Sequence, residues 1–178
     1  MRLIESYSES NYVASGWAIY GTGKYGMSFK CDREILDSAK FHLYSVGSPT
    51  GNAYAYVYKI TAVNGVPTTE PIATSDALDV STLTETPTLT TLTFSGENRI
   101  TFEDSYYAIT MAYPTGAVPN YIRAGYGTTN LDTDSMRRVS FAAGGENWNT
   151  STGQFVCFYV YADTLTVGAK YPLPAFSS

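Results

Sequence analysis

The chain predicts an all-β protein: an antiparallel β-sandwich, jelly-roll-like, of about eight to ten short strands. Three observations lead there. Apolar and polar residues alternate with period two in one short run after another. Clusters of Gly, Pro, Asn and Ser divide those runs. No segment keeps a 3.6-residue apolar period for three turns, so helix is confined to single turns at 33–38 or 77–83.

The runs follow in order. Met27, Phe29 and Cys31 share one side of the first. Ala39, Phe41 and Leu43 share a face, with Lys40, His42 and Tyr44 opposite. The hexapeptide Gly47-Ser48-Pro49-Thr50-Gly51-Asn52 then reads as a hairpin-type connection. Beyond it Tyr54, Tyr56 and Tyr58 line one face and Ala53, Ala55 and Val57 the other, a tyrosine ladder with rings repeating at about 6.5–7 Å. Leu92 and Phe94 alternate with Thr91 and Thr93. Tyr107, Ile109, Met111 and Tyr113 alternate with Tyr106, Ala108, Thr110 and Ala112. The run 155–161 is apolar on both sides, as in a strand covered on both faces. The whole chain, 1–178, reads as one sandwich domain, and alternate prolines, Pro172 and Pro174, predict an extended C-terminal arm from about 168 to 178.

Charged residues are only 15% and the net charge is −5, so the polar surface is built mainly from hydroxyls and amides. No basic cluster exists beyond Arg137-Arg138, which argues against nucleic acid as a partner. No apolar run approaches the roughly 20 residues of a membrane-crossing helix. The segment 1–15 has no apolar stretch of signal-peptide length, so synthesis without export is expected. Cys31 and Cys157 read as free buried thiols, or as a bridge if their strands are neighbours. Two cysteines and one histidine do not make an ordinary zinc site.

Several stretches resemble a β-sandwich domain of phage structural and bacterial surface proteins, sometimes described with the "choice-of-anchor" group. They are Gly26-Met27-Ser28-Phe29; Ser38-Ala39-Lys40-Phe41-His42-Leu43 running into 46–52; Ala73-Thr74-Ser75-Asp76 with 79–83; Leu92-Thr93-Phe94-Ser95-Gly96; and Phe158-Tyr159-Val160-Tyr161. The resemblance spans roughly 26–161. It implies a jelly-roll module belonging to a surface or virion protein, and it carries over no catalytic residues. The chain departs from exported members in having no signal peptide or anchoring tail, which favours a virion part: a capsid decoration, head-fibre or tail-associated subunit, located in the virion. Its partners would be other virion proteins or copies of itself, with surface glycans as further targets, and neither nucleic acid nor membrane.

The residues themselves offer four kinds of chemistry. Catalysis has little to stand on, because the single histidine, His42, falls mid-strand as an exposed or rim residue and no G-x-S-x-G elbow is present. Glu103-Asp104 reads as a solvated turn, since neighbours on a strand diverge. No cofactor is expected beyond calcium, for which Asp132 and Asp134, alternating with other oxygen side chains in 130–135, are the candidate ligands, and Asp76 and Asp79 flank another position. Glycan binding would use aromatic rings with amides beside them: Trp148 between Asn147 and Asn149, and Tyr54, Tyr56 and Tyr58. Trp148 also reads as a ring folded over the sandwich end to plug the core. Assembly would use the arm, through Tyr171, Leu173 and Phe176. The expected protein is therefore non-enzymatic and oligomeric. The alternative is a carbohydrate-binding module of a larger surface-associated system, with a glycoside hydrolase or lyase as a remote third.

Overall fold

The computed structural model describes residues 1–129, 136–145 and 147–164. The strands are β1 (Arg2–Tyr7), β2 (Tyr12–Ile19), β3 (Lys24–Cys31), β4 (Glu34–Val46), β5 (Asn52–Ile60), β6 (Ala73–Thr74), β7 (Leu78–Asp79), β8 (Thr88–Thr93), β9 (Ser105–Ala112), β10 (Tyr121–Gly127), β11 (Arg138–Phe141), β12 (Trp148–Ser151), β13 (Phe155–Val156) and β14 (Phe158–Thr164). Among the described residues no helix is long and apolar enough to cross a membrane.

Two antiparallel sheets face each other. Sheet 1 runs β1–β14–β4–β8, and sheet 2 runs β3–β9–β5–β6. That is the strand order of a jelly roll, with β10 to β13 inserted before the last strand. The expected eight to ten strands are this roll. The surplus is β2, the two-residue β7 and the inserted β10 to β13. Strands β10 and β2 enlarge sheet 1, while β11 and β12 enlarge sheet 2.

The core follows the alternation. Met27, Phe29, Phe41, Leu43, Val57, Ile109 and Met111 are fully buried between the sheets. Burying each such side chain contributes about 1.5–3 kcal/mol. Phe29 packs edge-on to Phe102 with centroids 5.7 Å apart, and Phe102 lies 4.5 Å from Tyr107.

Three local expectations change. The connection 47–52 is not a hairpin, because β4 lies in sheet 1 and β5 in sheet 2. It is an arch between layers: Gly47 and Gly51 hold φ of 71° and 95°, backbone that glycine adopts without steric cost. The Ser48 amide donates to Asn120 Oδ1 at 2.9 Å, which fixes the arch to the neighbouring loop. The run 155–161 is two strands. At Cys157 the chain leaves β10 for β1 and β4, with the Cys157 amide bonding to Gly125 O at 2.8 Å. Of the two expected helical turns, the one at 33–38 is Arg33, with φ of 48°, followed by the start of β4. The other is a 3-10 turn, Val80–Thr82, capped by the Asp79 carboxylate, which accepts from the Ser81 amide at 2.9 Å. Cys31 and Cys157 are free and buried, and burial pushes their thiols up to about 11 and about 12.

Candidate functional site: an aromatic face with a groove

The outer face of sheet 2 is built by alternation on five strands. From β5 it receives Tyr54, Tyr56 and Tyr58, whose neighbours Ala53, Ala55 and Val57 enter the core. The central strands β9 and β3 contribute small residues, with Tyr58 opposite Ala108, Tyr54 opposite Ala112, and Gly26 opposite Thr110. From β11 and β12 come Val139, Phe141 and Trp148. The small central residues leave space over the sheet, and large rings from both sides fill it.

The rings form one continuous series. Tyr54 and Tyr56 stack at 6.2 Å, Tyr56 and Tyr58 meet edge-on at 6.5 Å, and Tyr58 reaches Trp148 at 5.1 Å. Trp148 in turn lies 5.4 Å from Phe141, and the Lys24 ammonium sits 5.1 Å above the Phe141 ring. Tyr58, Ile60, Ala108 and Val139 make a second apolar cluster outside the sandwich, with Tyr56, Tyr106 and Trp148 packed on it.

The connection 61–72 closes over this cluster. Ser28 Oγ donates to Val63 O at 2.8 Å and accepts from the Arg137 amide at 2.8 Å, so one buried hydroxyl joins the loop to the approach of β11. Tyr58 is only 3% exposed as a result, although it points away from the main core. Burial, then the neighbouring Tyr56, raises its pKa above the ordinary tyrosine value. Between the loop and the rings lies a groove of about 440 Å³, bordered by Lys24, Tyr56, Tyr58, Glu70, Pro71 and Ala112.

The structure thus brings the tyrosine ladder and Trp148 onto one surface. Trp148 is neither a loop ring nor an end plug: it opens β12 and lies half-buried on the sheet face. Asn147 and Asn149 are exposed. Strand alternation turns Asn149 to the side opposite the ring, so the expected pair of flanking amides is not assembled. The ring that packs against the rim of the main core is Trp17, stacked on Tyr25 at 4.9 Å under the Arg138 guanidinium at 4.5 Å. Asp132, Asp134, Tyr171, Leu173 and Phe176 lie outside the described residues. Lys24, Phe141 and Glu70 escaped sequence reasoning. For Lys24 the signal existed, since period two puts it opposite Tyr25 and Met27; for Glu70, in an irregular loop, there was none.

The outer face of sheet 1 also carries aromatic residues. Tyr159 and Tyr161 stack at 6.4 Å, Lys40 lies 5.4 Å from the Tyr161 ring, and the Tyr159 hydroxyl donates to Glu9. That bond holds the Glu9 carboxyl below its ordinary range. His42 is not a rim residue: it is 8% exposed, packed edge-on under Tyr12 at 4.8 Å. Burial lowers its pKa, against a hydrogen bond to the Pro87 backbone and the nearby Glu9 charge.

Of the acidic residues that the sequence singles out, Asp76, Glu103 and Asp104 are engaged elsewhere. Asp76 accepts from Ser95 Oγ at 2.6 Å and Thr93 Oγ1 at 2.8 Å. Glu103 and Asp104 diverge to Lys59 and Lys30. Among the described residues no group of three His, Cys, Asp or Glu side chains is placed to hold a metal ion.

Comparison with known proteins finds no match to this chain among protein-family models or among curated proteins.

Proposed function

We propose that this chain is a non-enzymatic structural protein of a phage virion, a capsid decoration, head-fibre or tail-associated subunit, that works by docking its outer faces. The observation that carries the reading is the pair of stacked, half-buried tyrosine ladders, Tyr54–Tyr56 on one outer face and Tyr159–Tyr161 on the other. Tyrosine gives large contact area with a polar tip and is enriched at interfaces. The jelly-roll order is shared by many viral shell proteins, an analogy of fold and not of site. Low charge suits surfaces that pack against copies of themselves or a shell. The test is light scattering across a concentration series, together with analysis of purified particles for the chain. Self-association or stable particle incorporation is expected. A permanent monomer absent from every particle overturns the reading.

A second reading is a carbohydrate-binding module of a larger surface-associated system. One observation favours it: Trp148 joins the tyrosine ladder through the buried Tyr58, so that the half-buried rings of Tyr54, Tyr56 and Trp148 share one outer face as an aromatic platform. A glycan array probed with the full chain tests it, and a blank array removes it.

A further inference from the structure

Resting on the second reading, we infer that the groove beside the aromatic platform is a subsite for an uncharged pyranosyl oligosaccharide, held between Lys24 and Glu70. The groove's volume of about 440 Å³ falls within the roughly 300–1,000 Å³ typical of small-molecule sites. Ala112, on the central strand β9, lines its base with only a methyl group, so a flat ring can approach the sheet. Tyr56, half-buried, lines one side and presents aromatic surface to the C–H face of a sugar, with the buried Tyr58 packed behind it.

The two charges decide the ligand class. Lys24 and Glu70 border the same space, and the Glu70 charge is felt by both the Lys24 amine and the Tyr58 hydroxyl. They nevertheless form no ion pair. The Lys24 ammonium has Thr22 O at 3.4 Å, near the outer limit of a hydrogen bond, and otherwise faces the rings of Phe141 and Trp148. Burial lowers its pKa, the mark of an amine short of water.

A strong donor and a strong acceptor therefore border one gap without meeting each other. Sugar hydroxyls satisfy both at once, accepting from Lys24 and donating to Glu70. A uronate or phosphate would satisfy Lys24 but set its own charge against Glu70, on a chain of net charge −5. The site is thus built for a neutral polyol.

The test is calorimetric titration of the full chain with neutral gluco-, galacto- and manno-oligosaccharides and with the matching uronates. The variants are Lys24→Gln, Glu70→Gln, Trp148→Ala and, on the opposite sheet, Tyr159→Ala. Near-UV circular dichroism checks that each variant is folded. The wild type is expected to bind a neutral member. Lys24→Gln and Glu70→Gln should each weaken it about tenfold, the loss of one charge-assisted hydrogen bond, with Tyr159→Ala unchanged. Binding lost in Trp148→Ala but kept in both groove variants overturns the groove assignment and leaves the glycan reading standing. Preference for the uronates does the same. No binding by the wild type to any member overturns both.

Discussion

On sheet 2, Tyr54 and Tyr56 stack with planes 11° apart; on sheet 1, Tyr159 and Tyr161 stack with planes 15° apart. Both pairs follow from the same two-residue repeat of a strand. Their surroundings differ. On sheet 1 the pair lies in an open face whose polar groups find one another: Tyr159 with Glu9, and Arg123 with Tyr121 at 3.3 Å. On sheet 2 the strands beside the ladder carry Gly26, Ala108 and Ala112, and the connection 61–72 crosses above them. A second apolar cluster and a groove result. An alternating tyrosine run becomes a flat contact surface or the wall of a binding site according to what the neighbouring strands leave empty.

The sharpest way to break this comparison is Gly26→Ala. A Cβ there would stand 1.8 Å from Ile109 O, a backbone atom that cannot move without parting β3 from β9. The variant should fail to fold or lose more than about 4 kcal/mol in urea unfolding. A stable Gly26→Ala protein would show that the seam under the aromatic face is looser than described. At the matching glycine on sheet 1, Gly125, a Cβ would stand 2.8 Å from His42 Nδ1, a side-chain atom that can shift, so Gly125→Ala should cost less, about 1–3 kcal/mol.

Next in size is the pair Tyr58→Ala and Tyr159→Ala. Tyr58 is buried under the loop, and its truncation should cost about 3–5 kcal/mol, as for other large buried rings. Tyr159 is half-buried, and losing its bond to Glu9 should cost about 1 kcal/mol. Equal effects would abolish the distinction between the faces.

A smaller effect is expected from pH. Burial lowers the folded-state pKa of His42 below its ordinary 6.5. The unfolded chain therefore binds more protons in the window between the lowered value and 6.5. Stability falls as pH drops through that window and is insensitive to His42 above it. Urea midpoints between pH 7 and 5 should decline, and His42→Phe, which keeps the packing under Tyr12, should flatten the decline. An unchanged slope would show that another group, Glu9 included, carries it.

The smallest effect belongs to Lys59→Gln. Its partner Glu103 is exposed, and such pairs are screened by water, so the unfolding midpoint should not move measurably.

Much of the interior was legible because strand alternation is local. Met27 with Phe29, Phe41 with Leu43, and Ile109 with Met111 needed only neighbours two residues away to be assigned inward. The connection 47–52 was not legible in the same way. Glycine and proline announce that the chain turns, but a hairpin and an arch between sheets use the same residue types. The site was half legible. The ladder and Trp148 were visible as separate aromatic features, while the groove depends on Lys24, Glu70 and Ala112, which lie far apart in the chain and carry no shared pattern.

By itself the sequence determined an all-β sandwich, the inward residues of its main strands and the outward line of tyrosines, because period-two burial is set by each strand alone. Only the tertiary structure decided that Trp148 meets Tyr58, that the loop 61–72 buries one end of the ladder, and that opposite charges border one groove. Those are contacts between distant segments, and the free energy of packing them depends on the shape of both partners, which no single stretch of chain contains.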